Sequence, residues 1–196
     1  VTPLQFLINM NDYRETLDIH HKKLFDSYIK YKSESNTFIE TGCHKGIGLT
    51  SAINAGYTKL YSCDIFGDRV DYCSNLISEM VNNDKIVKPE CVEIYKCSSV
   101  QFLTKVLPKI DTDATFWLDA HDEGGGMPLS EELDLIKTLF KNKTSTIIMD
   151  DIPTYLNSNE KTHIEDQLKQ INPDYKFDFI STAGPDYIMI ASTKLS

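Results

Sequence analysis

Three acidic residues and one histidine follow two apolar segments of the sequence that are predicted to be strands. Asp119 ends the run Ala-Thr-Phe-Trp-Leu-Asp, and Asp150 and Asp151 follow the run Thr-Ser-Thr-Ile-Ile-Met. In open α/β sheets, ligands bind beyond the carboxyl ends of the strands. Converging carboxylates raise one another's pKa values unless a cation compensates them, and hard oxygen ligands suit Mg²⁺. The sequence therefore predicts a divalent metal site at Asp119, Asp150 and Asp151.

The histidine is His121, two residues beyond Asp119 on the same predicted loop. An imidazole titrates near neutral pH and suits the removal of a hydroxyl proton, so His121 is the predicted general base. A loop histidine bonded to a backbone carbonyl is the alternative. Asp150 and Asp151 have an alternative too, because aspartate is favoured as a cap of a helical turn such as one near Pro153.

A glycine-rich turn precedes these residues in the chain and has the pattern E-x-G-x-x-x-G-x-G. It comprises Glu40, Gly42, Gly46 and Gly48, and Asp64 ends the next predicted strand. An acid at that strand end is the layout that holds an adenosine ribose. The dinucleotide pattern G-x-G-x-x-G does not fit. Glu40 would serve a pyrophosphate poorly and an amino group well. Glycines needed only for the geometry of the turn are the alternative.

The elements that position these residues alternate between strand and helix. Five β-α units are followed by a hairpin of residues 175–180 and 187–191, and an amphipathic helix is predicted at residues 12–32. This order predicts an α/β, Rossmann-like, mostly parallel sheet with a closing antiparallel hairpin and helices on both faces. We expect one domain over residues 1–196, with a helical cap at 1–35 and the Rossmann-like core at 36–191.

Composition limits the classes of function. The 196 residues are 41% hydrophobic and carry a formal net charge of −9, which argues against nucleic-acid or anionic-membrane partners. No apolar run is long enough to span a bilayer, and the first residues do not resemble a signal peptide. The five cysteines include no C-x-x-C pair, which favours a reducing, cytoplasmic location. A catalytic role for Cys43, within the glycine-rich turn, is the less favoured interpretation of that thiol.

The glycine pattern with Asp64 resembles the first two motifs of class I S-adenosylmethionine (SAM)-dependent methyltransferases, which implies a seven-stranded sheet. The acids resemble those of metal-dependent O-methyltransferases, and Phe-Trp-Leu-Asp-Ala-His resembles methyltransferases that modify glycans and sugars. The resemblance implies cofactor contacts from Glu40, Gly42, Cys43, Gly46, Gly48, Asp64, Ser98 and Asp119. Ser98 stands where such proteins often carry an acid for the adenine amino group, and a plain helix N-cap is its alternative. Asp119 could also only orient a loop.

The predicted function is therefore SAM-dependent O-methylation of a hydroxyl on a sugar, a glycan or a small polyol. A divalent cation, expected to be Mg²⁺, assists, and Asp119 and His121 are the catalytic residues. The alternatives are a metal-independent methyltransferase of the same fold and a SAM-fold module without chemistry. The glycine spacing argues against an NAD-dependent oxidoreductase. The sequence is compatible with a homo-oligomer. It does not identify the methyl acceptor.

Overall fold

A computed structural model describes residues 10–82, 88–121, 126–140, 145–182 and 187–195. Within these residues the seven strands are β1 (Thr37–Thr41), β2 (Lys59–Asp64), β3 (Cys91–Lys96), β4 (Ala114–Leu118), β5 (Ser145–Met149), β6 (Lys176–Ile180) and β7 (Ile188–Ser192). They form one sheet in the order β3-β2-β1-β4-β5-β7-β6. Only β7 runs against the other six strands in this described sheet. The predicted fold, including the closing antiparallel hairpin, is confirmed; the predicted turn at residues 183–186 lies outside the described residues.

Helices cover both faces of the sheet. In the described residues the α-helices are α1 (Met10–Thr16), α2 (Ile19–Lys30), α3 (Ile47–Asn54), α4 (Gly67–Val81), α5 (Ser99–Val106), α6 (Leu129–Leu139), α7 (Ile152–Tyr155) and α8 (Ser158–Ile171). One apolar core lies between the sheet and α5, α6 and α8, and the other between the sheet and α2, α3 and α4. Strands β1, β4, β5 and β7 are buried throughout, because both of their faces are covered. Among the described helices, none combines the length and the apolar character needed to cross a bilayer.

The strand order brings the predicted functional residues to one edge. Strand β4 pairs in parallel with β1 on one side and with β5 on the other. The order of the strands reverses between β1 and β4, which is the switch point where open α/β sheets bind ligands. Leu118 pairs with Met149, so Asp119 and Asp150 leave neighbouring strands at the same level.

The predicted helix over residues 12–32 is wrong in one respect, because two helices occupy this segment. Helix α1 ends at Thr16 and α2 begins at Ile19. Asp18 is the N-cap residue of α2, and its side chain accepts a hydrogen bond from the backbone N–H of His21. An aspartate that satisfies a helix N-terminus in this way favours a new start over continuation of the preceding helix.

Candidate active site

A large cavity of about 730 Å³ opens at the carboxyl edge of the sheet. Its wall includes Gly42 from the turn after β1, Asp64 from the end of β2 and Ser98 from the segment after β3. Asp119 and His121, beyond β4, also line it. The fold therefore gathers, around one space, residues that the sequence places up to 79 positions apart, from Gly42 to His121.

Two glycines of the turn permit close contacts that a side chain would prevent. Gly42 has φ of +88°, and a Cβ there would lie 2.7 Å from the backbone oxygen of Asp119. A Cβ on Gly48 would lie 1.9 Å from Oε1 of Glu40. Gly46 is the N-cap residue of α3. The turn thus lets the chain pass against β4 and lets a carboxylate lie against the first turn of α3.

Glu40 is buried at the end of β1 and lines a second, small cavity of about 60 Å³. Asp150 and His20 line this small cavity as well. The hydroxyl of Ser62 donates a hydrogen bond of 2.5 Å to Oε2 of Glu40. Burial raises the pKa of Glu40 to about 8, the Ser62 bond opposes the rise, and the negative charge of Asp64 adds to it. A cation beside Glu40 would stabilise its ionised form.

Asp64 is held by backbone donors on both sides. The N–H of His44 donates to Oδ2 and the N–H of Phe66 to Oδ1, each at 3.0 Å. Arg69 lies 3.8 Å from the same carboxylate. A carboxylate offers about four lone-pair positions, so Asp64 retains acceptor capacity towards the large cavity that it lines.

Ser98 and Cys43 have clear structural roles at this edge. Ser98 is the N-cap residue of α5, and its hydroxyl accepts a hydrogen bond of 3.3 Å from the N–H of Gln101. This is the alternative interpretation of Ser98 given above. Ser98 also lines the large cavity. Cys43 is buried and lines the small cavity. A hydrogen bond with the Cys73 side chain, together with burial, raises the pKa of the Cys43 thiol, which does not favour a thiolate nucleophile.

Asp119, His121 and Asp151 form a cluster that could hold a metal ion. Each offers one ligand atom, and these atoms lie within 4.8 Å of one another. The pKa of Asp119 is raised well above its ordinary value, first by burial and then by the charges of Asp150, Asp151 and Glu40. His121, predicted as a base, is thus grouped with two carboxylates.

Asp150 lies next to the cluster but its side chain faces helix α2. Nε2 of His20 is 2.9 Å from Oδ2 of Asp150, and the N–H of Asp151 donates to Oδ1 at 2.9 Å. Asp151 has φ of +55° and precedes α7 without a side-chain capping bond. Its carboxylate instead interacts with Tyr187 and raises the pKa of that hydroxyl. Asp151 therefore occupies the N-cap position of α7, as the alternative interpretation expects, but its side chain makes no capping hydrogen bond.

Sequence reasoning missed His20, which is separated from Asp150 by 130 positions. Thr182, which bonds the other ring nitrogen of His20, was missed as well. No local sequence pattern distinguishes a helical histidine that reaches a strand tip from one that faces solvent.

Solved structures of methyltransferases share this fold at low sequence identity. An O-methyltransferase of Bacillus cereus in complex with SAH gives a TM-score of 0.58 at 13% identity over 93% of this chain and 88% of that one. A precorrin-6y C5,15-methyltransferase of Geobacter metallireducens gives 0.57 at 12% identity over 87% of each chain. An rRNA methylase of Streptococcus thermophilus gives 0.55 at 12% identity over 87% of this chain and 94% of that one.

No family model and no curated protein matches the sequence. The structural matches, together with the strand order, establish that the chain has the Rossmann-like fold of class I methyltransferases. The names of two of these proteins refer to different acceptors, an rRNA and a precorrin, so the fold alone does not select one.

Proposed function

We propose that this protein binds SAM in the large cavity and transfers its methyl group to a hydroxyl of a sugar, a glycan or a small polyol. One observation supports the proposal above all others: a cavity of about 730 Å³ unites Gly42, Asp64, Ser98 and Asp119 at the switch point of a methyltransferase fold. In this proposal Asp64 accepts hydrogen bonds from the ribose hydroxyls, and Ser98 lies beside the adenine.

The methionine end of SAM would lie towards the small cavity. Glu40 lines that cavity, and its burial without a basic partner among the described residues favours a positively charged ligand group such as the SAM ammonium. The turn at Gly42 and Gly48 keeps the backbone close to this position. The methyl carbon would then be directed at the acidic tips of β4 and β5.

The acceptor oxygen attacks the methyl carbon while the carbon–sulfur bond breaks, and the acceptor loses its hydroxyl proton. Most of the rate enhancement in such an in-line displacement comes from alignment of oxygen, carbon and sulfur. The wall of the large cavity beyond Asp119, which includes His121 and Pro128, provides space for the acceptor next to the cofactor. A cytoplasmic location is part of the proposal.

A divalent cation is the second part of the proposal, and the donor set fits one. Asp119, His121 and Asp151 supply two carboxylates and one imidazole within 4.8 Å of one another. Carboxylates suit Mg²⁺ and Mn²⁺, and the imidazole extends the choice to Zn²⁺ and similar ions. When bound, such a cation would lower the pKa of a hydroxyl that it contacts. Asp150, also predicted as a ligand, adds negative charge from the neighbouring position.

Two alternatives are kept because they predict different roles for His121. In a metal-independent methyltransferase, His121 is the general base and the acids only orient it. In a module without chemistry, the large cavity binds SAM and no acceptor is methylated. The cluster of Asp119, His121 and Asp151 favours the metal-assisted form, since two carboxylates beside an imidazole suit cation binding.

Isothermal titration with SAM, SAH and NAD, each with and without Mg²⁺ or Mn²⁺, tests the cofactor. We expect SAM and SAH to bind and NAD not to bind. Incubation with methyl-labelled SAM and a panel of methyl glycosides and small polyols then tests the reaction. Binding of NAD in place of SAM would refute the proposed function, and SAM binding without labelled product from any acceptor would favour the module without chemistry.

A further inference from the structure

A carboxylate that the proposed mechanism does not use lies in the interior of the protein. Glu132, on α6, has an exposed fraction of 0%, and neither of its oxygens has a direct hydrogen-bond partner in the described part of the chain. The hydroxyl of Thr41, at the end of β1, is buried and also makes no direct hydrogen bond within the same residues. Buried polar groups are nearly always paired, because an unpaired one destabilises the fold. Glu132 therefore needs an explanation beyond core packing.

Glu132 lies behind the wall of the large cavity. Its charge raises the pKa values of Cys63 and Asp119, which both line that cavity. Burial raises the pKa of Glu132 itself to about 7, and the hydroxyls of Ser99 and Thr41 oppose the rise, since they lie close enough to stabilise the ionised form. Ser99 is the first residue of α5 and lines the large cavity. The hydroxyl of Ser99 therefore stands between Glu132 and the cavity.

This arrangement gives Ser99 a defined hydrogen-bonding pattern towards the cavity. Above its pKa, the Glu132 carboxylate only accepts, so the hydroxyl hydrogens of Ser99 and Thr41 turn towards it. The oxygen of Ser99 is then left to accept a hydrogen bond from the cavity side. The backbone N–H of Ser99 is a donor at the same helix end, because the first N–H groups of a helix have no partner inside it. Ser99 thus offers one acceptor beside one donor.

The reading edge of adenine carries the complementary pair. Its exocyclic amino group donates, and the neighbouring ring nitrogen accepts. In hypoxanthine, the deaminated base, an oxo group accepts and the ring nitrogen carries a hydrogen, so both positions are reversed. A site built to bond one pattern leaves its own polar groups unpaired when it meets the other.

We propose that Glu132 holds the Ser99 hydroxyl with its oxygen towards the cavity, so that Ser99 selects the adenine of SAM against the deaminated base. This inference rests on the proposed function. Ser99 is the residue that contacts the base, and Glu132 is a positioning residue that acts through it. The absence of an acid at Ser98, one position earlier, is consistent with a hydroxyl taking over the recognition of the amino group.

Calorimetric titration at pH 8 with SAH and with S-inosylhomocysteine tests the inference. The wild type should bind SAH about 100-fold more tightly, from about 10-fold for each of the two reversed hydrogen bonds. Ser99→Ala removes the acceptor and keeps the backbone donor, so the ratio of the two affinities should fall about 10-fold. Ser78→Ala, whose exposed hydroxyl bonds only its own helix α4 among the described residues, is the matched control and should keep the wild-type ratio.

Two variants of Glu132 separate positioning from a merely structural role. Glu132→Met keeps the approximate volume and removes the acceptor behind Ser99, so the affinity ratio should fall about as far as in Ser99→Ala. Its Tm should not fall, since an apolar side chain replaces a buried acid. Glu132→Gln keeps an oxygen that can accept from Ser99 and should restore most of the ratio. A structural role would weaken the binding of both ligands equally and leave the ratio unchanged.

The outcomes distinguish this inference from the proposed function. An unchanged ratio in Ser99→Ala would overturn the inference, whether or not Glu132→Met folds. An unchanged ratio in a folded Glu132→Met would remove Glu132 from it. A wild type that binds both ligands equally would overturn the inference and leave SAM binding in place. A wild type that binds neither ligand refutes the proposed function first, and this inference with it.

Discussion

Glu40→Gln should stabilise the protein in a pH-dependent manner. Glu40 is 1% exposed, and burial raises its pKa to about 8 from an ordinary value of 4.5. The neutral form is therefore favoured in the folded protein, and ionisation above neutral pH opposes folding. Glutamine keeps an oxygen that can accept the hydrogen bond from Ser62 and carries no charge at any pH.

The magnitude follows from the difference between the two pKa values. The folded-state pKa lies above the unfolded one, so the stability from Glu40 is fully present below pH 4.5 and is lost as the pH rises to about 8. At 1.36 kcal/mol per pKa unit, the complete loss is about 5 kcal/mol, as an upper value. The variant should thus be about as stable as the wild type at pH 4.5 and more stable at pH 9.

Urea denaturation at pH 5, 7 and 9 measures this difference. We compare the free energy of unfolding of Glu40→Gln with that of the wild type at each pH, so that groups common to both cancel. Glu79→Gln, at an exposed position on α4, is the matched control. Its free energy of unfolding should differ from that of the wild type by an amount that does not change with pH. A Glu40→Gln difference that does not grow between pH 5 and pH 9 would refute the reasoning.

Four further outcomes are expected. SAM affinity of the wild type should rise with pH up to about 8, because an ammonium group prefers ionised Glu40; calorimetry in two buffers would detect the released proton. Asp64→Ala should weaken SAM binding by about 10- to 100-fold through loss of charged hydrogen bonds, as measured by titration. The Asp150→Asn and His121→Ala variants should lose turnover while retaining SAM affinity. Full activity of both variants would contradict the assignment of these residues to the active site. Gly48→Ala should lower the free energy of unfolding by about 1–3 kcal/mol, since its Cβ would meet the Glu40 carboxylate, and denaturation would measure this.

The sheet was predictable because its strands are short apolar runs separated by helical periodicity. Runs such as Phe-Trp-Leu before Asp119 are buried on both faces, so their apolar character is continuous and their ends are easy to place. The junction between α1 and α2 was missed, because the spacing of apolar residues continues across it. The capping role of Asp18 distinguishes two helices from one, and it is visible only once His21 is seen to donate to it.

The nucleoside end of the site was more accessible to sequence reasoning than the acceptor end. Gly42 and Asp64 belong to one β-α-β unit, so their spacing along the chain specifies their distance in space. Asp150 instead bonds His20 of α2, which lies 130 positions before it. His20 in turn bonds Thr182, from the segment after β6. Only the packing of α2 against the sheet brings His20 to a carboxylate, and no local spacing specifies that packing.

The charge of the acceptor end also narrows the choice among acceptors. Methyltransferases described as acting on rRNA and on precorrin share this fold, so the sheet itself does not discriminate between them. In this chain Asp119, Asp150 and Asp151 converge beside the cavity, and the whole chain carries a net charge of −9. A polyanion would be repelled from such an edge, and a single bound cation would not reverse a field of this sign over the length of a nucleic acid. The charge distribution therefore argues against a nucleic-acid acceptor, whereas the proposed alcohol of sugar size would not be repelled.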